Sequence, residues 1–188
     1  MFEDPRIGVV VYGSLLSPAD LGDLFGDLSG RLRPVTVSGF QRRFNQAASW
    51  RETDGRHSAV LNVTPESGRW FNGLFVGDVS RSVFETYRQR ERGYRLMEVT
   101  TDELEPYESQ AVESGNIDLL ERDALQAHGL VLTTVGRKTD AEILPIDSYV
   151  NRCLDGAAHW GQQFKRDFCA TTLVNTGEPL GEYLSAED

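Results

Sequence analysis

A run of apolar residues that ends in a tyrosine and a glycine restricts the fold of this chain more than any other feature. Residues 7–11 read Ile-Gly-Val-Val-Val, and residues 12–16 read Tyr-Gly-Ser-Leu-Leu. A short run that is apolar on both faces predicts a strand buried inside a sheet. Gly13 then permits a sharp turn that a residue with a Cβ would resist. The backbone N–H groups of such a turn can converge on a carboxylate or an oxyanion, although an ordinary strand, turn and helix would show the same pattern.

The remaining pattern predicts an α+β fold. Ser17 and Pro18 fit the N-cap and the first position of a helix. Further helices are predicted at 80–92 and 148–168. Further strands are predicted at 31–45, 57–63, 70–76, 94–100 and 128–135. Because most of these strands follow one another without a crossover helix, we expect a mostly antiparallel, barrel-like sheet flanked by helices.

Glycines and turn residues mark where these elements bend or stop. We predict a bulge or bend at Gly39, a turn at 65–68 between two strands, and the end of a helix at Gly93. Residues 102–127 are acidic and fit no regular element. The chain of 188 residues contains no repeat and no linker-like stretch, so we expect one domain that spans residues 1–188.

Composition excludes several classes of partner. The formal net charge of −10 argues against a nucleic acid or an anionic membrane as partner. No apolar run approaches the roughly 20 residues of a membrane span, and residues 1–5 do not resemble a signal peptide. Cys153 and Cys169 are expected to be buried thiols in a reducing compartment, which favours a cytoplasmic location. The three histidines and two cysteines show no ligand spacing, so neither a metal nor a cofactor is expected, and nothing indicates an oligomeric state.

Three segments together resemble the γ-glutamylcyclotransferase superfamily, in particular its ChaC-type and related bacterial members. They are Tyr-Gly-Ser-Leu-Leu at 12–16, Ala-Val-Leu-Asn-Val-Thr-Pro at 59–65 followed by Asn-Gly-Leu-Phe-Val at 72–76, and Arg-Glu-Arg-Gly-Tyr at 90–94. Parts of 144–172 are also similar to the C-terminal region of that family. The order and distance of the first and third segments make the pair fairly specific.

The resemblance implies a role for each matched residue. The loop of Tyr12, Gly13, Ser14 and Leu15 would bind the α-amino and α-carboxylate end of a γ-glutamyl group, and Glu91 would be the acid/base. The implied reaction is cyclisation of a γ-glutamyl amide to 5-oxoproline with release of an amine or peptide, without a cofactor. Two alternatives remain: a γ-glutamylamine or a protected biosynthetic intermediate as substrate, or a non-catalytic module that binds a small metabolite.

Without the family resemblance, the proposed site residues have other possible interpretations. Read alone, Glu91 is a surface charge between two arginines. Glu98 on the next strand is the rival acid/base, and Ser14 could be a nucleophile, although no histidine lies in a recognisable partner motif. Where family members often have Leu-Asp, this chain has Tyr87 and Arg88, which is expected to change packing or charge beside the site.

Overall fold

The structure is a computed structural model that describes residues 6–53, 56–107 and 125–186. For residues 49–53, 56 and 57 it describes the backbone but not the side chains. Most of the unassigned acidic segment, like residues 1–5, lies outside these ranges. The strands are β1 (Ile7–Val11), β2 (Leu32–Thr53), β3 (Arg56–Val79), β4 (Tyr94–Glu98), β5 (Leu104–Pro106), β6 (Leu130–Gly136) and β7 (Thr172–Leu173). The helices are α1 (Pro18–Phe25), α2 (Arg81–Arg90), α3 (Asp147–His159), α4 (Gln162–Thr171) and α5 (Leu180–Ala186), with short 3-10 turns at Ser14–Leu16 and Thr101–Glu103.

One sheet joins all the described strands, in the order β4-β6-β1-β3-β2-β5, with β7 paired to β2. Most neighbours are antiparallel, and only the pairs β1–β6 and β2–β7 are parallel among the described strands. The predicted α+β fold with a mostly antiparallel sheet is therefore confirmed. The sheet does not close into a barrel, because β4 and β5 form its two edges and do not pair with each other.

β1 lies in the middle of the sheet and is buried, as its apolar run predicts. Val9 and Val10 have no exposed surface. The absence of a side chain at Gly8 lets the Phe75 ring of β3 pack against the strand, since a Cβ there would lie 2.4 Å from Phe75 Cε2. The turn that leaves this strand is thus attached to a buried strand in the middle of the sheet.

The predicted turn at 65–68 is wrong, because β3 continues through it as one strand paired to β2. Ser38 pairs with Trp70 and Phe40 pairs with Pro65, so the extra residues of β3 bulge out opposite Gly39. Gly39 and Gly68 both have positive φ, 80° and 76°, which glycine adopts without strain. The bulge predicted at Gly39 is confirmed, and it absorbs the turn-forming residues without reversing the chain.

The predicted helix at 148–168 consists of two helices, α3 and α4. The break falls at Trp160 and Gly161, where Gly161 has φ 112°. α3 packs against the 3-10 turn that follows β1, and α4 packs against β3. Among the described helices, none is long and apolar enough to cross a membrane.

Candidate active site

The turn after β1 carries backbone donors that no other group of the described protein uses. The 3-10 turn Ser14–Leu16 closes with Leu16 N–H donating to Gly13 O at 2.9 Å. In the described residues, the N–H groups of Gly13, Ser14 and Leu15 donate to no protein acceptor. Buried N–H groups normally have a hydrogen-bond partner. The free N–H groups of this half-buried turn can therefore take an anionic oxygen as their acceptor.

Three contacts hold this turn in place. The Tyr12 hydroxyl donates to Thr134 O of β6 at 2.7 Å, and the indole N–H of Trp160 donates to Leu16 O at 2.9 Å. Gly156 of α3 lies so close that a Cβ there would be 2.9 Å from Ser17 N. The turn is therefore clamped between the sheet and α3.

A buried arginine supports the residue that precedes the turn. Arg42 of β2 has no exposed surface, and its guanidinium donates to Asn72 O at 2.6 Å and to Thr172 Oγ1 at 2.7 Å. A longer contact of 3.5 Å reaches Tyr12 O, and the guanidinium stacks 3.9 Å from the centre of the Phe168 ring. One side chain thus ties β2, β3 and α4 to the end of β1.

Glu91 caps the C-terminal end of α2, and its backbone is fixed from both sides. Its N–H donates to Tyr87 O at 2.9 Å, and its carbonyl accepts from Tyr94 N–H at 2.9 Å. The side chain is 18% exposed, and the Arg90 Nε lies 3.5 Å from its Oε1. Burial raises the pKa of Glu91 to about 7, against a smaller lowering effect of Arg90. The carboxyl group therefore changes protonation near neutral pH.

The turn and Glu91 line one cleft, although about 80 positions separate them in the sequence. The cleft has a volume of about 320 Å³, part of which is open to solvent. Its lining residues are Val11, Tyr12, Gly13, Ser14, Leu15, Leu61, Tyr87, Glu91, Tyr94, Thr134 and Tyr149. The structure thus brings Tyr12, Gly13, Ser14, Leu15 and Glu91 together in one cleft, and their roles stay a prediction.

Four tyrosines surround Glu91 in this cleft. Burial raises the pKa of Tyr12, Tyr87, Tyr94 and Tyr149 above the ordinary value, so all four are neutral at neutral pH. Tyr94 donates its hydroxyl to Leu61 O at 2.7 Å. The tyrosines form a low-polarity wall that supplies hydroxyl groups without adding charge beside the carboxylate.

Sequence reasoning missed Tyr149 and Thr134 as cleft residues and left open what Tyr87 does. Tyr149 lies on α3, within the predicted helix 148–168, and it belongs to the core while its ring also lines the cleft. Tyr87, at the position where family members often have leucine, is buried against the cleft. The departure from the family pattern thus falls at the site itself, and its effect on packing stays a prediction.

Glu98 and two of the histidines lie outside the cleft, whereas Ser14, the possible nucleophile, is part of the turn. Glu98 is exposed on β4 and is not among the residues that line the cleft. His128 is buried against the Phe75 ring, and its Nε2 accepts the Asp78 N–H at 3.1 Å, so it holds β3 in place. His159 is exposed on α3, and the side chain of His57 lies outside the description.

The described residues contain no cluster of three or more His, Cys, Asp or Glu that could hold a metal ion. Cys153 is buried and Cys169 is half-buried, and both are free thiols. What the cleft offers is one carboxyl group that titrates near neutrality, a set of backbone donors and neutral hydroxyl groups. This combination suits proton transfer beside a developing oxyanion.

Comparison with solved structures identifies the fold. A γ-glutamyl cyclotransferase structure is similar over 96% of this chain and 97% of its own length, with 12% identity and a TM-score of 0.60. An uncharacterized protein from Homo sapiens is similar over 98% of both chains, with 11% identity and a TM-score of 0.58. The protein YkqA from Bacillus subtilis is similar over 87% of this chain and about half of its own (52%), with 17% identity and a TM-score of 0.56.

No family model matches the chain, and a comparison with curated proteins finds no match. The structural likeness nevertheless covers nearly the whole chain, so the protein has the γ-glutamyl cyclotransferase fold. The family resemblance expected from the segments at 12–16 and 90–94 is confirmed at the level of the fold.

Proposed function

We propose that the protein is an enzyme that cyclises a γ-glutamyl amide to 5-oxoproline and releases the amine. The observation that carries this proposal is the placement of Glu91, little exposed and with a pKa of about 7, in one cleft with the unpaired N–H groups of the 13–15 turn. The fold shared with a γ-glutamyl cyclotransferase supports it.

The turn is the proposed binding site for the glutamyl head group. Its α-carboxylate or the oxyanion that develops at the γ-carbon would accept hydrogen bonds from the N–H groups of Gly13, Ser14 and Leu15. Tyr12 contributes by fixing the turn to β6 through its hydroxyl. These donors need no reorganisation on binding, because the turn is already clamped between the sheet and α3.

Glu91 is the proposed acid/base. The substrate's α-ammonium first gives a proton to the carboxylate, and the free amine then attacks the γ-carbonyl carbon. The new ring C–N bond forms, and the proton passes from Glu91 to the departing nitrogen as the amide C–N bond breaks. The ring nitrogen then loses its second proton to Glu91, which passes it to the released amine. Atoms and charge balance without water. A pKa of about 7 lets one carboxyl group take the proton and return it near neutral pH.

Intramolecular attack explains why one general acid/base is enough. Nucleophile and electrophile belong to the same molecule, and effective molarities on the order of 10⁵ M are known for well-oriented pairs. The cleft's task is therefore to hold the glutamyl chain folded and to carry protons from the ring-forming nitrogen to the departing one.

The experiment that tests the proposal is incubation of the purified protein with a panel of γ-glutamyl compounds, including glutathione, followed by mass-spectrometric detection of 5-oxoproline. Time-dependent 5-oxoproline that scales with protein concentration supports the enzyme. Thermal stabilisation by a γ-glutamyl compound without any 5-oxoproline would contradict it and would support the metabolite-binding module.

A further inference from the structure

The proposed cleft opens into a second, larger depression. This vestibule has a volume of about 790 Å³ including open space. It shares Ser14, Glu91, Tyr94 and Tyr149 with the cleft and adds Val60, Arg90, Arg92 and Arg152. A glutamyl group held at the turn with its amide beside Glu91 would therefore extend its departing amine into the vestibule.

The charge of the vestibule is opposite to that of the whole chain. The protein carries 29 acidic and 19 basic residues, yet among the described residues three arginines and one carboxylate, Glu91, line this depression. A local cluster of cations in an acidic protein attracts anions at short range, since more distant charges are screened.

The three arginines differ in how their guanidinium groups are used. Arg152 is held by Asp20, with Nη2 2.5 Å from Oδ1 and Nε 3.2 Å from Oδ2. Arg90 lies 3.5 Å from Glu91. Arg92 is exposed and makes no hydrogen bond or ion pair with the described residues. Arg92 is thus the cation available to a ligand, while Arg152 is held in place by Asp20.

We propose that the vestibule selects γ-glutamyl substrates whose departing amine carries a carboxylate, with Arg92 as the residue that receives that group. The inference rests on the proposed function and deepens it, because it separates γ-glutamyl amino acids and peptides from γ-glutamylamines. A departing amine that is neutral gains nothing from the arginines, and a cationic one is repelled by them.

A matched pair of substrates tests the inference. γ-Glutamyl-alanine and γ-glutamyl-ethylamine differ only in the carboxylate of the departing amine. We expect the wild-type protein to turn over γ-glutamyl-alanine with a kcat/KM about tenfold higher, and this preference to fall as salt screens the arginines. In Arg92→Gln, kcat/KM for γ-glutamyl-alanine should fall about fivefold, while that for γ-glutamyl-ethylamine stays within about twofold.

Arg95→Gln is the matched control, because Arg95 is an exposed arginine three positions away that does not line the vestibule. It makes the same change in net charge and should keep the wild-type preference. Equal turnover of the two substrates by the wild type, or an equal loss of preference in Arg95→Gln, would overturn the inference.

A binding measurement distinguishes failure of this inference from failure of the proposed function. Calorimetric titration of Glu91→Gln with the same two compounds measures the vestibule without turnover. If the wild type yields no 5-oxoproline but the carboxylate-bearing compound binds about fivefold more tightly, the proposed function is wrong and the vestibule inference stands. Equal affinities, or no binding of either compound, would overturn the inference.

Discussion

Replacing Glu91 by glutamine should stabilise the protein at alkaline pH and have a much smaller effect at acidic pH. In the folded protein burial raises the pKa of Glu91 from 4.5 to about 7. The folded state therefore binds the proton more tightly than the unfolded state does, and the wild type loses stability as the pH rises from 4.5 to about 7. Glutamine cannot ionise, so the variant does not suffer this loss.

The magnitude follows from the size of the pKa shift. Each pKa unit corresponds to about 1.4 kcal/mol, so the stability difference between variant and wild type should grow by ~2.5 kcal/mol from about pH 5 to about pH 8. The side chain is 18% exposed, which places it well inside the protein's low-dielectric surroundings. Glutamine keeps the size of the side chain, so packing changes little.

Urea unfolding at a series of pH values, followed by tyrosine and tryptophan fluorescence, measures this difference. Glu98→Gln is the control, because it makes the same chemical change at an exposed position of β4 outside the cleft. Wild-type and Glu91→Gln stabilities that stay parallel within about 0.5 kcal/mol over this range would refute the reasoning, because the carboxylate would then be as well solvated in the folded state as in the unfolded chain.

Two further substitutions, Gly156→Ala and Arg42→Met, test the support of the turn, and Gly22→Ala is the control. Gly156→Ala would place a Cβ 2.9 Å from Ser17 N, so the turn should shift and kcat/KM for 5-oxoproline formation should fall about tenfold; unchanged kcat/KM would contradict the clamp. Gly22→Ala meets no atom within 4 Å and should leave kcat/KM unchanged while it stabilises helix α1 by about 0.5–1 kcal/mol in urea unfolding. Arg42→Met should lower the free energy of unfolding by about 3 kcal/mol, because it leaves Asn72 O and its neighbours buried without their donor; a loss below about 1 kcal/mol would contradict that role.

The strand, the turn and the placement of Glu91 at a helix end could be predicted because each depends on local sequence, whereas the role of Glu91 at the site was implied only by the family resemblance. The β-branched run at 9–11 and Gly13 specify a buried strand and a sharp turn on their own. Gly93 follows the helix end, so Glu91 falls at the junction where a side chain can leave the helix. These signals need no knowledge of distant residues, and the structure places them as expected.

The bulge in β3 and the break between α3 and α4 could not be predicted from local sequence in the same way. Pro65 and Gly68 favour a turn, but pairing of both flanks with β2 overrides that preference. A glycine weakens a helix at any interior position, so Gly161 alone does not predict where the helix ends. The break is fixed by packing, because α3 and α4 contact different parts of the protein.

The roles of Arg42 and Tyr149 at the site could not be predicted from sequence patterns. Arginine is mostly exposed, and the partners that bury Arg42 lie 30 and 130 positions away in the sequence. An apolar stripe on a helix reports which face is buried. It does not report that the Tyr149 ring also borders a cleft.

The measurement that tests the central claim most directly is 5-oxoproline formation by Glu91→Gln, with Glu98→Gln as the matched control. The substrate is whichever γ-glutamyl compound the wild type turns over. Loss of the proton acceptor should lower kcat by a factor on the order of 10² or more, while the γ-glutamyl ligand still binds at the turn and the folded state is retained. Glu98→Gln should stay within a few-fold of wild type. Near-normal turnover by Glu91→Gln, or equal losses in both variants, would contradict the assignment of Glu91 as the acid/base.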